Sequence, residues 1–217
     1  METRKQVRER DLLLLSHRLG SPELGMAILG EGNVSARIGS GETFMIKASG
    51  ASLGTLKKTE LVVCKSGALL PLLESTAVSD EEVEAALLAS RVKSRDKKPS
   101  VEALFHAYCL SLKGIEFVGH THAISVNQIL CSTRAGEFAE KRIFPDEIVC
   151  CGRASVFVPY TDPGLRLAKE IRQRVEVFLK RFGESPRVIL VENHGIIAMG
   201  RSAQAVLAAM LMAEKTA

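Results

Sequence analysis

The stretch FVGHTHA, residues 117–123, joins a buried strand to a candidate site. It begins apolar and ends with two histidines at positions i and i+2, which point to the same face of an extended strand. A second apolar stretch, VILVENHG at residues 188–195, ends in an Asn-His-Gly unit. If these two strand ends lie side by side in one sheet, three imidazole rings lie close together, those of His120, His122 and His194.

This arrangement of histidines predicts a divalent-metal site. Three protein ligands and one open position are typical of catalytic zinc, whereas structural zinc sites are closed by four protein ligands. The alternative is that one or more of the histidines only forms hydrogen bonds inside the core. The alternating pair at a strand end, together with the Asn-His-Gly turn, favours the metal site.

The composition is that of a soluble globular protein with a mostly aliphatic core. Of the 217 residues, 46% are apolar and 25% are charged, and tryptophan is absent. This length suits a single domain over residues 1–217. The net charge of +4 is spread out except for a basic cluster at residues 91–98. No aromatic residues interleave with that cluster, so nucleic-acid binding is not predicted.

The cysteines and the N-terminal sequence indicate a cytoplasmic protein without membrane association. The number of cysteines is five, and none forms a CxxC pair, which favours free thiols in a reducing compartment. The N-terminus is highly charged, and its apolar run, residues 12–15, is too short for a signal peptide or a membrane span. The last helix has no C-cap before residue 217, which leaves a longer native chain open.

Strand and helix patterns alternate irregularly along the chain, which predicts α/β layers with a mixed sheet. Helices are expected at residues 2–19, 79–93, from 100 onward, 123–130, 162–182 and 203–214. Strands are expected at residues 34–38, 43–48, 61–64, 68–70, 115–120, 148–151, 155–158, 188–191 and 196–199. The expected helix N-caps are Ser79, with Glu82 completing a capping box, then Ser100, and Asp162 with Pro163 at the first helical position.

Six motifs in order carry a resemblance to a known family. They are GEGNVS, KASG, PSVEALFH, GHTHA, VPYTDPG and ENHG, and they span nearly the whole chain. Each motif alone is weak, but their order and separations together resemble the class II aldolase/adducin family. This resemblance implies a three-layer α/β/α fold with a central mixed, largely antiparallel sheet. It also implies a homotetramer whose active sites lie between neighbouring subunits.

The resemblance implies that His120, His122 and His194 hold Zn²⁺, although another divalent metal is compatible with the same ligands. The implied substrate is a small ketose, a sugar or sugar phosphate, that binds through its carbonyl and adjacent hydroxyl oxygens. A metal there acts as a Lewis acid and stabilises the enediolate left by carbon–carbon cleavage.

Glu102 matches the family's catalytic acid/base glutamate. From the sequence it lies in the first turn of a helix capped by Ser100, where the helix dipole favours a carboxylate. The alternative is an ordinary glutamate at a helix N-terminus. His106, one turn further along, is expected to orient other groups or to pack in the core rather than to bind metal.

Tyr160 resembles a family tyrosine near the active site. Its phenol is a candidate proton donor to the departing aldehyde oxygen, and the alternative is a packed tyrosine whose hydroxyl is bonded to the backbone. Tyrosine donors of the family also come from a neighbouring subunit at another position, so the proton donor stays open.

Four residues match the family's phosphate-binding positions: Asn33, Ser49, Gly50 and Ser100. The second serine of the family's Ser-Ser pair is Val101 here, which removes one hydroxyl donor. Lys47, just before the Ser49-Gly50 turn, is a candidate to compensate for this loss with its charge, but strand-end lysines are more often solvated. The anionic group of the substrate is therefore a phosphate or a carboxylate.

Other members of the family define the alternatives to an aldolase. The family's 4-epimerases carry aspartate where this chain has Glu102, which argues against an epimerase. Decarboxylases and a sugar-phosphate dehydratase keep the glutamate and stay open. Adducin-like interaction domains lack the metal histidines, so a non-catalytic domain is less favoured. A further alternative is a portion of a longer enzyme fused to a dehydrogenase-like domain.

Overall fold

A seven-stranded mixed sheet organises the part of the chain that the computed structural model describes, residues 3–39 and 42–217. Its strands are β1 (Asn33–Ile38), β2 (Thr43–Lys47), β3 (Leu61–Lys65), β4 (Phe117–Thr121), β5 (Val156–Val158), β6 (Val188–Val191) and β7 (Gly195–Gly200). The spatial order is β3-β2-β1-β4-β7-β6-β5. All neighbouring strands are antiparallel except β5 and β6, which are parallel. The predicted mixed, largely antiparallel sheet is confirmed.

Helices cover both faces of the sheet and form the three predicted layers. They are α1 (Arg4–Leu19), α2 (Asp80–Ser90), α3 (Ala103–Ser111), α4 (Ile124–Leu130), α5 (Ala135–Glu140), α6 (Pro145–Cys151), α7 (Leu165–Phe182) and α8 (Ala203–Thr216). Helices α2, α3 and α7 bury their apolar side chains in one core cluster, and α1, α4, α5, α6 and α8 bury theirs in the other. None of these described helices is long and apolar enough to cross a membrane.

Strand β4 lies in the middle of the sheet and sends alternate residues to the two cores. Phe117 packs in the core of α1 and α8, and Val118 packs in the core of α3 and α7. His120 follows this alternation and meets the ring of Phe105 on α3 edge-on, with the centroids 5.8 Å apart. His120 is therefore on the α3 face of the sheet, as the period of two requires.

Two predicted strands are wrong. Residues 68–70 belong to two short 3₁₀ helices, Ser66–Ala68 and Leu70–Leu73. Residues 148–151 form the end of α6, whose first residue is Pro145. Short apolar runs do not distinguish a strand from a buried helix turn, and the proline at the helix start was the overlooked signal. Helix α5 was not predicted.

The expected helix starts are correct in one case and wrong in two. Ser79 caps α2 through the predicted capping box, although α2 ends at Ser90 rather than near residue 93. Helix α3 begins only at Ala103, because the two residues that follow Ser100 form a turn before the helix. Helix α7 begins at Leu165 after Gly164, whose φ of 106° interrupts the helix that Asp162 was expected to cap. The expected start of the first helix at residue 2 lies outside the described residues.

Candidate metal centre

The end of β4 and the start of β7 meet at one edge of the sheet. Thr121 pairs with Ile196 in antiparallel register, so residues just beyond these ends are neighbours. Asn193 turns the chain there with a φ of 52°, a conformation that asparagine tolerates better than most residues. The side-chain amide of Asn127 donates to the His194 carbonyl at 3.0 Å and holds the turn in place.

Gly195 allows β7 to approach the histidines of β4 closely. A Cβ atom at this position would lie 2.4 Å from the Thr121 carbonyl oxygen, 3.0 Å from the His122 ring and 3.1 Å from the His120 ring. Only a residue without a side chain fits this space.

The three histidines that the sequence singled out converge at this edge. Each pair of their rings has its centroids 5.0 Å apart. One nitrogen from each ring lies within 4.8 Å of the other two. Nδ1 of His120 donates to the Ile196 carbonyl at 3.0 Å, which leaves its Nε2 lone pair free for another partner.

The donor set fits a divalent metal. Nε2 of His120 and Nε2 of His122 are 3.2 Å apart, close to the separation of about 3.3 Å that two ligand nitrogens have in tetrahedral zinc sites. Burial, followed by the neighbouring His120, lowers the pKa of His122 and brings the pKa of His194 to about 4. Both are therefore neutral at pH 7, the form in which imidazole binds metals.

Glu102 faces the same point as the histidines. Its Oε1 lies 3.4 Å from Nε2 of His120 and 3.8 Å from Nε2 of His194, and its Oε2 accepts a hydrogen bond from Nδ2 of Asn33. Burial alone would raise the pKa of Glu102, but His120, His106 and Asn33 together lower it below its ordinary value. Conversely, burial opposes the charge on His120, but Glu102 raises its pKa. Glu102 is thus a carboxylate at neutral pH.

His106 is a buried histidine behind Glu102. Its Nδ1 is 2.7 Å from the Ser35 hydroxyl and its ring stacks on Phe105. Burial lowers its pKa to about 3 despite the nearby Glu102. His106 is therefore neutral, and it packs in the core behind Glu102.

The residues proposed for anion binding lie on three neighbouring segments, which are the start of β1, the turn after β2 and the turn before α3. Ser100 accepts a hydrogen bond from Asn33 at 3.1 Å, so both contact the Glu102 segment. Ser49 and Gly50 form an exposed turn after β2. The Ser49 amide donates to the Lys98 carbonyl at 3.0 Å and holds this turn beside the segment that leads to Ser100. Gly50 has a φ of 76°, and no heavy atom lies within 4 Å of the position of a Cβ.

The expectation that Lys47 is solvated is wrong. Its side chain is buried, and its Nζ donates to the carbonyl oxygens of Ala51 at 2.7 Å and of Gly30 at 3.3 Å. Burial lowers its pKa, and the charges of Glu102 and Glu60 oppose that change. Lys47 therefore ties together the two loops beside the site.

Tyr160 lies at the surface, with an exposed ring. Its amide donates to Oε2 of Glu192 at 2.9 Å, and its hydroxyl is 3.5 Å from Asp162. Its described contacts thus link it to the segment before His194, but they do not include a histidine or Glu102.

One residue near the histidines was missed from the sequence. Oε1 of Glu31 lies 3.6 Å from Nδ1 of His122. Its only sequence signal was its place in the GEGNVS motif, where the glycines and Asn33 carry the resemblance.

Comparisons with known proteins agree with this architecture. The family model described as "Class II Aldolase and Adducin N-terminal domain" matches residues 10–217. A sequence relative named uncharacterized oxidoreductase YuxG, from Bacillus subtilis (strain 168), is 28% identical over 165 residues. This match covers 75% of the chain but only 21% of the relative, so the chain spans a small part of that protein's length.

Two solved structures show the same fold. The N-terminal class II aldolase domain of a conserved protein from Thermoplasma acidophilum is 23% identical with a TM-score of 0.74, and the match covers 99% of this chain and 94% of that one. The l-fuculose-1-phosphate aldolase from Thermus thermophilus is 16% identical with a TM-score of 0.63, and the match covers 96% and 90% of the two chains. At these identities the likeness extends to the fold alone.

Proposed function

The chain belongs to the class II aldolase and adducin family, and from this premise we propose that it is a zinc-dependent lyase. The proposed reaction is the retro-aldol cleavage of a small, phosphorylated ketose. The observation that supports it most directly is the convergence of His120, His122 and His194 with the carboxylate of Glu102. A non-catalytic domain would have no need to hold a buried carboxylate against a cluster of three imidazoles.

The three histidines would hold the zinc ion, which supplies Lewis-acid stabilisation of negative charge on the substrate's oxygens. Glu102 is then the proton carrier. Cleavage between carbons 3 and 4 of a ketose 1-phosphate leaves the bonding electron pair on carbon 3 and removes the proton of the carbon-4 hydroxyl. Glu102, ionised and oriented by Asn33, is proposed to receive the carbon-4 hydroxyl proton, with the Tyr160 hydroxyl as a relay at that oxygen, and to return one proton at carbon 3.

The anionic end of the substrate is proposed to bind at Asn33, Ser49, Gly50 and Ser100. The exposed backbone turn at Gly50 has room for a ligand, and backbone N–H groups and hydroxyls are the donors that phosphate prefers. The buried ammonium group of Lys47 adds positive charge beneath the two loops.

Tyr160 is proposed to exchange a proton with the oxygen of the aldehyde product. Its ring is 56% exposed, so it is accessible to a substrate or to a neighbouring subunit. We propose a homotetramer with active sites between subunits, as the family resemblance implies. All five cysteines are free, in keeping with the proposed cytoplasmic location.

The decisive experiment combines metal analysis with an assay of cleavage. The purified protein is assayed for zinc before and after chelation, and a panel of ketose 1-phosphates is tested for release of dihydroxyacetone phosphate. We expect about one zinc ion per chain, because one set of three histidine ligands holds one ion. We also expect that chelation abolishes cleavage of the substrate and that added zinc restores it. Zinc without cleavage of any ketose would favour a decarboxylase or dehydratase. Failure to bind zinc would favour an adducin-like interaction domain.

A further inference from the structure

The segment from Met26 to Gly32 lies against His120, near the end of β4, and His122, just beyond it. The His122 amide donates to the Met26 carbonyl at 3.0 Å. Gly32 has a φ of 72°, and a Cβ atom there would lie 2.6 Å from the His120 carbonyl oxygen. This segment, which includes the loop of residues 28–32, therefore contacts the backbone of both candidate ligands.

Glu31 closes this loop with one carboxylate oxygen and faces His122 with the other. Its Oε2 accepts the Ile28 amide at 2.9 Å, and the Glu31 amide donates to the Ile28 carbonyl at 3.1 Å. Leu29, between them, has a φ of 56°, a left-handed conformation that is strained for a residue other than glycine. The loop thus keeps a strained residue and directs Oε1 of Glu31 towards Nδ1 of His122, 3.6 Å away.

We propose that Glu31 is a positioning residue that fixes the tautomer of His122 for metal binding. This inference deepens the proposed function, since it rests on a metal bound by the three histidines. A carboxylate beside Nδ1 favours the tautomer with its proton on that nitrogen. The lone pair then lies on Nε2, the atom that faces Nε2 of His120 at 3.2 Å.

The other two histidines are held in different ways, which makes Glu31 specific to one ligand. His120 has a backbone carbonyl on its Nδ1. Nδ1 of His194 is buried, and the described part of the chain offers it no hydrogen-bond partner. A metal-binding histidine typically donates its second N–H to a carboxylate, a carbonyl or water, and loss of that partner typically weakens metal binding 10–100-fold.

Glu31→Gln separates the tautomer effect from closure of the loop. The glutamine carbonyl still accepts the Ile28 amide, whereas its amide group offers N–H to His122 and favours a proton on Nε2. Zinc affinity of the full-length protein is measured by competition with a chromophoric chelator. We expect Glu31→Gln to bind zinc about 10–100-fold more weakly, and Glu31→Asp, which keeps the charge, to recover part of the loss.

Glu23→Gln is the matched control, because it removes the same charge from an exposed position in the preceding segment. Its zinc affinity should equal that of the wild type. Zinc affinity of Glu31→Gln within twofold of this control would overturn the inference. A second readout is ¹⁵N NMR of the metal-free protein. The proton of His122 is expected on Nδ1 in the wild type and on Nε2 in Glu31→Gln, and an unchanged tautomer would also overturn the inference.

These outcomes distinguish the inference from the proposed function. A wild-type protein that binds zinc but cleaves no ketose phosphate, together with weak zinc binding by Glu31→Gln, would support the role of Glu31 and reject the aldolase reaction. A wild-type protein that cleaves a ketose phosphate, together with full zinc affinity in Glu31→Gln, would support the aldolase reaction and reject the role of Glu31. A wild-type protein that binds no zinc would overturn both.

Discussion

The carboxylate of Glu102 lies 3.4 Å from Nε2 of His120, although the two residues come from different elements on the same face of the sheet. Glu102 ends the turn before α3, and His120 is near the end of β4. Asn33, on β1, pairs with His120 in the sheet and holds the other oxygen of Glu102. This contact between strand and helix start joins the proposed proton carrier to the proposed metal ligands.

The first prediction is that Glu102→Gln separates metal binding from turnover. Glutamine has nearly the same shape but cannot carry the proton, so the variant should keep its zinc while kcat falls about 10²–10⁴-fold. Zinc content and kcat are measured on the same preparation. The exposed Glu137 provides the control, since Glu137→Gln should retain both. Wild-type turnover in Glu102→Gln would show that another group moves the proton.

The second prediction concerns the metal ligands. His122→Ala should lose bound zinc and activity while its circular dichroism spectrum stays that of the wild type, because the His122 side chain is partly exposed and contributes little to the core. His17→Ala is the matched control. His17 bonds to the Leu56 carbonyl through Nε2 and is not one of the clustered histidines, so this variant should keep its zinc. Full zinc content in His122→Ala would refute the three-histidine site.

The main geometry of the site could be predicted from the sequence, because it follows from strand periodicity. His120 and His122 had to share a face, and His194 had to follow an apolar strand. The sequence does not show which loops fold over the edge of the sheet where β4 ends and β7 begins. Glu31 and Lys47 acquire their positions from the loop of residues 28–32 and the turn after β2, whose conformations depend on glycine dihedrals and tertiary contacts.

The errors in the predicted helices and strands have a similar cause. Helix α6 was taken for a strand because four apolar residues fit both periods, and its actual state depends on contacts with α8 and on Pro145. The hydroxyl of Ser100 accepts the Glu102 amide, as the predicted cap requires, and also accepts a hydrogen bond from Asn33. The regular helix nevertheless begins only at Ala103, with Glu102 at its N-cap position.

The third prediction is that Gly195→Ala damages the metal site through packing alone. The added methyl group would meet the Thr121 carbonyl at 2.4 Å, and such overpacking costs about 1–3 kcal/mol of unfolding free energy. Because the rings of His120 and His122 are also in contact, zinc affinity should fall as well. In Gly136→Ala, where the described part of the chain places no atom within 4 Å of the new Cβ, zinc affinity should stay that of the wild type, and the unfolding free energy should not fall, because alanine is favoured over glycine in helix α5. Equal behaviour of the two variants, measured by urea unfolding and zinc competition, would contradict this account.

The fourth prediction compares two adjacent basic residues between α5 and α6. Arg142 is buried and bonds to Glu147, to the Ser155 hydroxyl and to the Gly152 carbonyl. Arg142→Ala leaves Glu147 as an unpaired buried charge, so the unfolding free energy should fall by about 3–5 kcal/mol.

The side chain of Lys141 makes an exposed ion pair with Glu137 at 2.7 Å, so Lys141→Ala should cost less than about 1 kcal/mol. Both variants are measured by urea unfolding against the wild type. The difference between neighbours tests burial directly, because both substitutions remove one positive charge from nearly the same place in the chain. If the two losses were equal, the buried pair of Arg142 and Glu147 would contribute no more to stability than a surface ion pair.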